Sequence, residues 1–184
     1  MKSLILKTIF IIALFLNIKV GSQILVNNDA YFQIYLDKEF MINDSPASYH
    51  KNSFIIINNT NKNYVINARG FMGFGDVYKN GMKITPYLFR PPSKPSDWGE
   101  KECKDNILII PAKKSIKAVL RLSVLRGWYK IYDDADYIVD FETEHTKESP
   151  YYYGCEKYVD SLKNKGYKIY EGMLKGKVKL IPEQ

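Results

Sequence analysis

Apolar and polar residues alternate in short runs along most of this chain, the period-two pattern of strands that bury one face. At residues 31–36, Phe32, Ile34 and Leu36 fall on one side and Tyr31, Gln33 and Tyr35 on the other. Residues 116–124 set Ile116, Ala118, Leu120, Leu122 and Val124 against Lys117, Arg121 and Ser123, and residues 136–143 place Tyr137, Val139 and Phe141 on one face. The runs 53–58 and 64–67 flank Asn59-Thr60-Asn61-Lys62-Asn63, whose residues tolerate turn geometry, so a hairpin is expected there. A second hairpin would join 106–110 to 116–124 around residues 111–115. Asn80-Gly81, between 77–79 and 82–84, supplies the two positive φ angles of a type I′ turn and predicts a tight hairpin.

Other segments punctuate the strands. Residues 90–99 carry Pro91, Pro92 and Pro95, which lack backbone donors, and read as a surface loop ending near Trp98. Only residues 155–164 look helical, with Tyr158, Val159 and Leu162 near one face and Gly166 placed to end the helix. Residues 128–132, 167–170 and 173–181 read as further strands. Strands about ten residues apart, without alternating long helices, imply an all-β sandwich or barrel.

The first 22 residues have a different character. Lys2 and Lys7 precede an apolar run over 8–16, and Val20-Gly21-Ser22 ends in small residues, the pattern of a cleaved secretory signal peptide. The run is interrupted by Lys7 and Asn17 and is shorter than the roughly 20 residues of a membrane-spanning helix, so no membrane anchor is expected after cleavage. The mature chain, residues 23–184, has the length of a single domain and is expected to be secreted or periplasmic. Lys2, Lys7 and Lys19 leave with the leader, so the net charge of +7 falls to +4, with 24 basic against 20 acidic residues. The remaining lysines are interspersed with acids, as in Lys101-Glu102-Cys103-Lys104-Asp105, which gives no reason to expect a nucleic acid partner.

Cys103 and Cys155 form an even pair in a chain that leaves the reducing cytoplasm, which favours a disulfide over two buried thiols. Closing a loop of about 50 residues contributes on the order of 4 kcal/mol in the chain-entropy model. Such a bridge, with Cα atoms about 4.4 to 6.8 Å apart, would clamp the loop carrying Trp98 to the run Tyr151-Tyr152-Tyr153. Aromatic residues are abundant, with 15 Tyr and two Trp. Trp98, Trp128, Tyr151, Tyr152 and Tyr153 fall in or beside expected loops and form the candidate binding patch for a protein or glycan, since these side chains give large contact area with a polar tip. The alternative is that one or two of them pack beneath the loops as a satellite core.

Asp133-Asp134-Ala135-Asp136-Tyr137-Ile138-Val139 resembles the Asp-x-Ala-x-Tyr-x-Cys signature of immunoglobulin domains, with Val139 in place of the cysteine. The resemblance implies an immunoglobulin-like antiparallel β-sandwich with one short helix inserted near 155–164, and a Tyr137 hydroxyl bonded to nearby backbone. It does not imply the family's usual disulfide at that position. A proteinase inhibitor of immunoglobulin-like design is the alternative function. Inhibitors of the chagasin type carry Asn-Pro-Thr-Thr-Gly and Arg-Pro-Trp elements, to which Asn58-Asn59-Thr60-Asn61 and Arg90-Pro91-Pro92 are only fragmentary counterparts.

No enzyme is expected. His50 and His145 lack metal-ligand spacing, and the chain has no nucleophile-elbow or phosphate-loop motif. A Cys155–His145 nucleophile pair, or a metal-dependent hydrolase, ranks below a disulfide with His145 in an exposed loop among Glu142, Glu144, Lys147 and Glu148. Asp133, Asp134 and Asp136 lack the spacing of a calcium loop and read as a turn bonding backbone amides. Neither metal nor cofactor is expected. Intact mass of the exported protein should give an N-terminus at or near Gln23; recovery of the uncleaved chain in a membrane fraction would make residues 1–22 an anchor instead.

Overall fold

A computed structural model of the chain describes residues 23–29, 31–43, 52–89, 97–125 and 127–182. The leader, His50 and the proline-bearing residues 90–96 lie outside the described residues. The first half contains β1 (Ile24–Asn28), β2 (Phe32–Leu36), β3 (Phe40–Ile42), β4 (Ser53–Asn58), β5 (Tyr64–Asn67), β6 (Phe71–Lys79), β7 (Met82–Ile84) and β8 (Leu88–Phe89). Helix α1 (Glu100–Asn106) leads into β9 (Ile107–Ile110), β10 (Ser115–Val119), β11 (Leu122–Leu125), β12 (Gly127–Trp128) and β13 (Tyr137–His145). A 3-10 turn (Ser149–Tyr151), α2 (Glu156–Asn164), β14 (Lys168–Ile169) and β15 (Gly172–Ile181) follow. The chain is all-β with two short helices.

A four-stranded antiparallel sheet runs β1-β2-β4-β10, and a second sheet runs β11-β6-β13-β15-β3 with β7 added to β6. One apolar cluster draws on both. Phe32, Ile34, Leu36, Phe54 and Ile56 come from the first sheet, and Phe71, Val77, Val139, Phe141, Leu174 and Val178 from the second. The alternation at 31–36 therefore marks the buried face as expected, and that of β13 continues beyond Phe141 through buried Thr143 and His145. Tyr137 opens this central strand, buried, with the Lys79 ammonium 5.5 Å from its ring centroid. The Asn80-Gly81 turn is present, with φ of 48° and 81°, and joins β6 to β7 in the register Lys79↔Met82.

The other two expected hairpins do not form, for a common reason. A small sheet, β14-β5-β9, lies between the main core and a second cluster, so β5 is buried on both faces: Ile66 belongs to the first cluster and Val65 to the second. Strand β4 pairs instead with β2 and β10. The Asn-rich connection has the expected turn chemistry but uses it to change sheets. Buried Asn58 donates to the carbonyls of Lys62, Ile110 and Pro111 and accepts from Thr60. In the same way β9 pairs with β5 and β10 with β4, so the turn between them separates two sheets.

The alternation over 116–124 is likewise divided between two strands. At Leu120-Arg121 the chain leaves the four-stranded sheet for the other, where β11 pairs parallel with β6, and Arg121 N–H donates to Ala68 C=O at 2.7 Å. Strand β3 pairs parallel with β15, so the second sheet is antiparallel at its centre and parallel at both of these flanks. The expected strand at 128–132 shrinks to β12, paired with β8, while Tyr129 and Ile131 enter the core.

Leu120 and Leu122 are buried on either side of the crossing, whereas Lys117 is exposed and paired with Asp37. Leu120→Ala should cost about 2 to 5 kcal/mol in urea titrations, and Lys117→Ala little. Equal losses at both sites would show that the face is wrongly assigned.

Candidate functional site

Helix α1 has almost no apolar periodicity. Cys103 is its only buried residue, and its exposed surface is held by Lys101–Asp105 and Glu100–Lys104 pairs, each spaced i,i+4. Lys104 beside Glu100 holds that carboxyl below its ordinary range. Helix α2 is amphipathic and inserts Val159 and Leu162. Between them Cys103 and Cys155 form a disulfide, with S–S 2.04 Å and Cα atoms 5.6 Å apart. Around it Val65, Ile107, Val159 and Leu162 make the second cluster, with half-buried Trp98, Tyr151 and Tyr153 against it.

The bridge joins the two aromatic loops as expected from the sequence. Trp98 N–H donates to Tyr153 C=O at 2.8 Å, and the two rings stack with centroids 4.0 Å apart and planes within 2°. The Arg69 guanidinium lies over the Trp98 ring, 5.5 Å from its centroid. With Tyr153 filling one face, this cation covers the other, so Trp98 presents its edge outward. Gly154 turns the chain into α2 with φ 75°, a conformation that disfavours a side chain. Tyr151 lies beside α2, its hydroxyl accepting from Lys163 at 3.1 Å and donating to Asp160 at 3.2 Å. Tyr152 is exposed. Trp128 lies in β12 opposite Leu88, and the structure does not describe its side chain. Three of the five patch residues, Trp98, Tyr151 and Tyr153, therefore share one cluster, partly as the satellite core that was the alternative.

A groove of about 530 Å³ opens beside this stack, lined by Trp98 and Glu100 on one side and by Glu156, Lys157, Tyr158 and Ser161 on the other, with the disulfide at its base. Its lining is part aromatic and part charged. That mixture can desolvate an apolar side chain while engaging polar neighbours.

The loop beneath the groove is anchored by a buried polar network that the sequence pattern did not reveal. His145 is not in an exposed loop: it ends β13 with no exposed surface. Its Nε2 accepts from Asn67 N–H at 2.9 Å, so Nδ1 carries the proton and donates to Tyr170 C=O at 2.8 Å. Asn67 also donates from Nδ2 to Ser149 C=O at 2.9 Å, and Ser149 Oγ donates to Gly70 C=O at 2.8 Å. The period-two pattern of β13, extended two residues, was the signal for this buried position.

No protein family, curated protein or solved structure matches this chain. The site must be judged on its own chemistry. Cys155 is in a disulfide and has no thiol to act as a nucleophile with His145. Among the described residues no cluster of His, Cys, Asp or Glu is arranged to hold a metal. Asp134 and Asp136 are instead near Lys79 and Lys179, at 3.7 and 3.9 Å.

Burial holds the His145 pKa down from 6.5 to about 4, against a smaller opposing effect of its bond to Tyr170. The unfolded chain takes up a proton near 6.5 but the folded chain does so only near 4. The stabilisation is therefore full above pH 6.5 and is lost as pH falls toward 4. Between pH 7 and 5 urea titrations should show a loss of about 2 kcal/mol, absent in His145→Gln. The same slope in that variant would remove His145 as its source.

Proposed function

We propose that this chain is an exported, non-enzymatic binding module of immunoglobulin-like design, which takes a polypeptide ligand in the groove between Trp98 and α2. The observation that carries the reading is the disulfide-clamped stack of Trp98 on Tyr153 at the mouth of a groove of about 530 Å³. A stacked, covalently tethered aromatic pair loses little further entropy when a ligand arrives, which is the advantage of a preorganised site. Export is supported by the leader-like residues 1–22 and by the disulfide, a bond that persists in oxidising compartments.

Of the two ligand classes expected from the sequence, a polypeptide suits the groove better than a glycan. Sugar rings pack on open aromatic faces, and both faces of Trp98 are occupied, by Tyr153 and Arg69. The alternating acidic and basic groups of Glu100, Glu156 and Lys157 suit a segment with side chains of both signs. The immunoglobulin-like assignment draws on the Asp-x-Ala-x-Tyr resemblance at 133–137, which precedes and opens the central strand β13. The inhibitor alternative gains nothing from its loop at 58–61, since Asn58 is buried and bonded internally.

A photo-cross-linking residue placed at Tyr158 should capture a defined protein partner from the cell envelope or medium, and the same residue at exposed Lys83 should not. Trp98→Ala should reduce the Tyr158 yield while the protein remains folded by circular dichroism. Equal capture from both positions, or none from Tyr158, would discard the groove as the site.

A further inference from the structure

A second groove, of about 430 Å³, lies beside β10 on the far side from β4. Strand β10 ends the four-stranded sheet and β9 ends the small sheet, so among the described residues neither has a strand partner on its outer edge. The hydrogen-bond phase identifies the groups that face outward. Asn58 N–H donates to Lys114 C=O, in register with Ser115↔Ile57, so alternate residues from Ile116 face β4. The N–H and C=O of Ser115, Lys117 and Val119 point to the free edge. On β9, Ala68 N–H donates to Asn106 C=O, and by the same phase Ile109 directs both of its backbone groups away from β5.

The floor and rim of the groove are suited to an extended chain. Leu108, Ile116 and Ala118, each partly buried against the main core, line it. Arg69, Lys117 and Arg121 stand around it against one acid, Asp105, an excess of two positive charges. Lysine on an edge strand ordinarily discourages pairing. Here Lys117 is drawn aside to Asp37, at the end of β2 beyond β4, which leaves the β10 backbone clear. Both Lys117 and Ser53 bond Asp37 and hold its carboxyl below the ordinary range, so this arrangement persists at neutral pH.

We propose that the free edge of β10 accepts an extended peptide with acidic side chains, added as a further strand in the groove between β10 and β9. Main-chain bonds to Ser115, Lys117 and Val119 give affinity, apolar side chains settle over Ile116 and Ala118, and carboxylates on the alternate positions meet Arg69 and Arg121. This site is distinct from the groove beside Trp98 and does not rest on it.

The test uses the exported protein and capped hexapeptides alternating valine with glutamate, with lysine replacing glutamate in a matched set. The glutamate peptides should slow amide exchange of Ser115, Lys117 and Val119 and shift their amide resonances, and the lysine peptides should not. N-methylation of the peptide at the alternate residues that bond β10 should weaken binding by about tenfold or more, whereas methylation of the intervening residues should not. Arg69→Gln should weaken the glutamate peptides selectively. No resonance change with millimolar glutamate peptide, equal binding of the lysine set, or indifference to N-methylation overturns the proposal. Concentration-dependent protection of the same amides without peptide, with a dimer in sedimentation, overturns it in favour of a second copy of the chain.

Discussion

The bond between Cys103 and Cys155 allows a second core to exist beside the first. Six buried residues, two of them the cysteines, are too few to hold two short helices and a three-stranded sheet by apolar burial alone. Helix α1 in particular contributes only Cys103 to the interior. Closure of a 52-residue span removes about 4 kcal/mol of chain entropy from the unfolded state. That is comparable with burying two large apolar side chains. The stacking of Trp98 on Tyr153 and the groove between the helices both depend on this cross-link.

Strand β5 transmits that arrangement to the rest of the molecule. Val65 faces the disulfide cluster and Ile66 the main core, so the two interiors share one strand rather than meeting at an exposed seam. The network from Asn67 through His145 to Tyr170 lies at the same junction. Each buried polar group named in it has its partner inside the protein, as a low-dielectric interior requires. The polar network therefore fixes the position of one core relative to the other, a task for which interchangeable apolar contacts are poorly suited.

Much of this was legible in local sequence and some of it was not, along a physical divide. Alternation at 31–36 and 137–141, the Asn80-Gly81 turn and the amphipathic helix ending before Gly166 are local properties, and they appear as expected. The cysteine pairing was legible from the compartment that the leader implies. Alternation cannot report which sheet a strand joins, so the pairs β4 with β5 and β9 with β10 looked like hairpins although the partners diverge. Helix α1 was missed because its residues are nearly all polar, and its support comes from exposed ion pairs and one covalent bond. His145 was misplaced because its charged neighbours suggested a surface, although every second residue of β13 turns inward. Of the five aromatic residues marked as a patch, the two that stack were brought together by the disulfide rather than by any local pattern.

Strand β15 sits between β13 and β3, antiparallel to the first and parallel to the second. Strand β3, which ends at Ile42, therefore has to wait for residues 172–181 before it can join the sheet. The ordering of assembly is written into this topology: the ribosome must finish nearly the whole described chain before the larger sheet can close. Until then β3 has no place in that sheet and the Leu174 and Val178 side of the core stays open. A chain built this way remains unclosed throughout its synthesis and completes its fold late, as a single event.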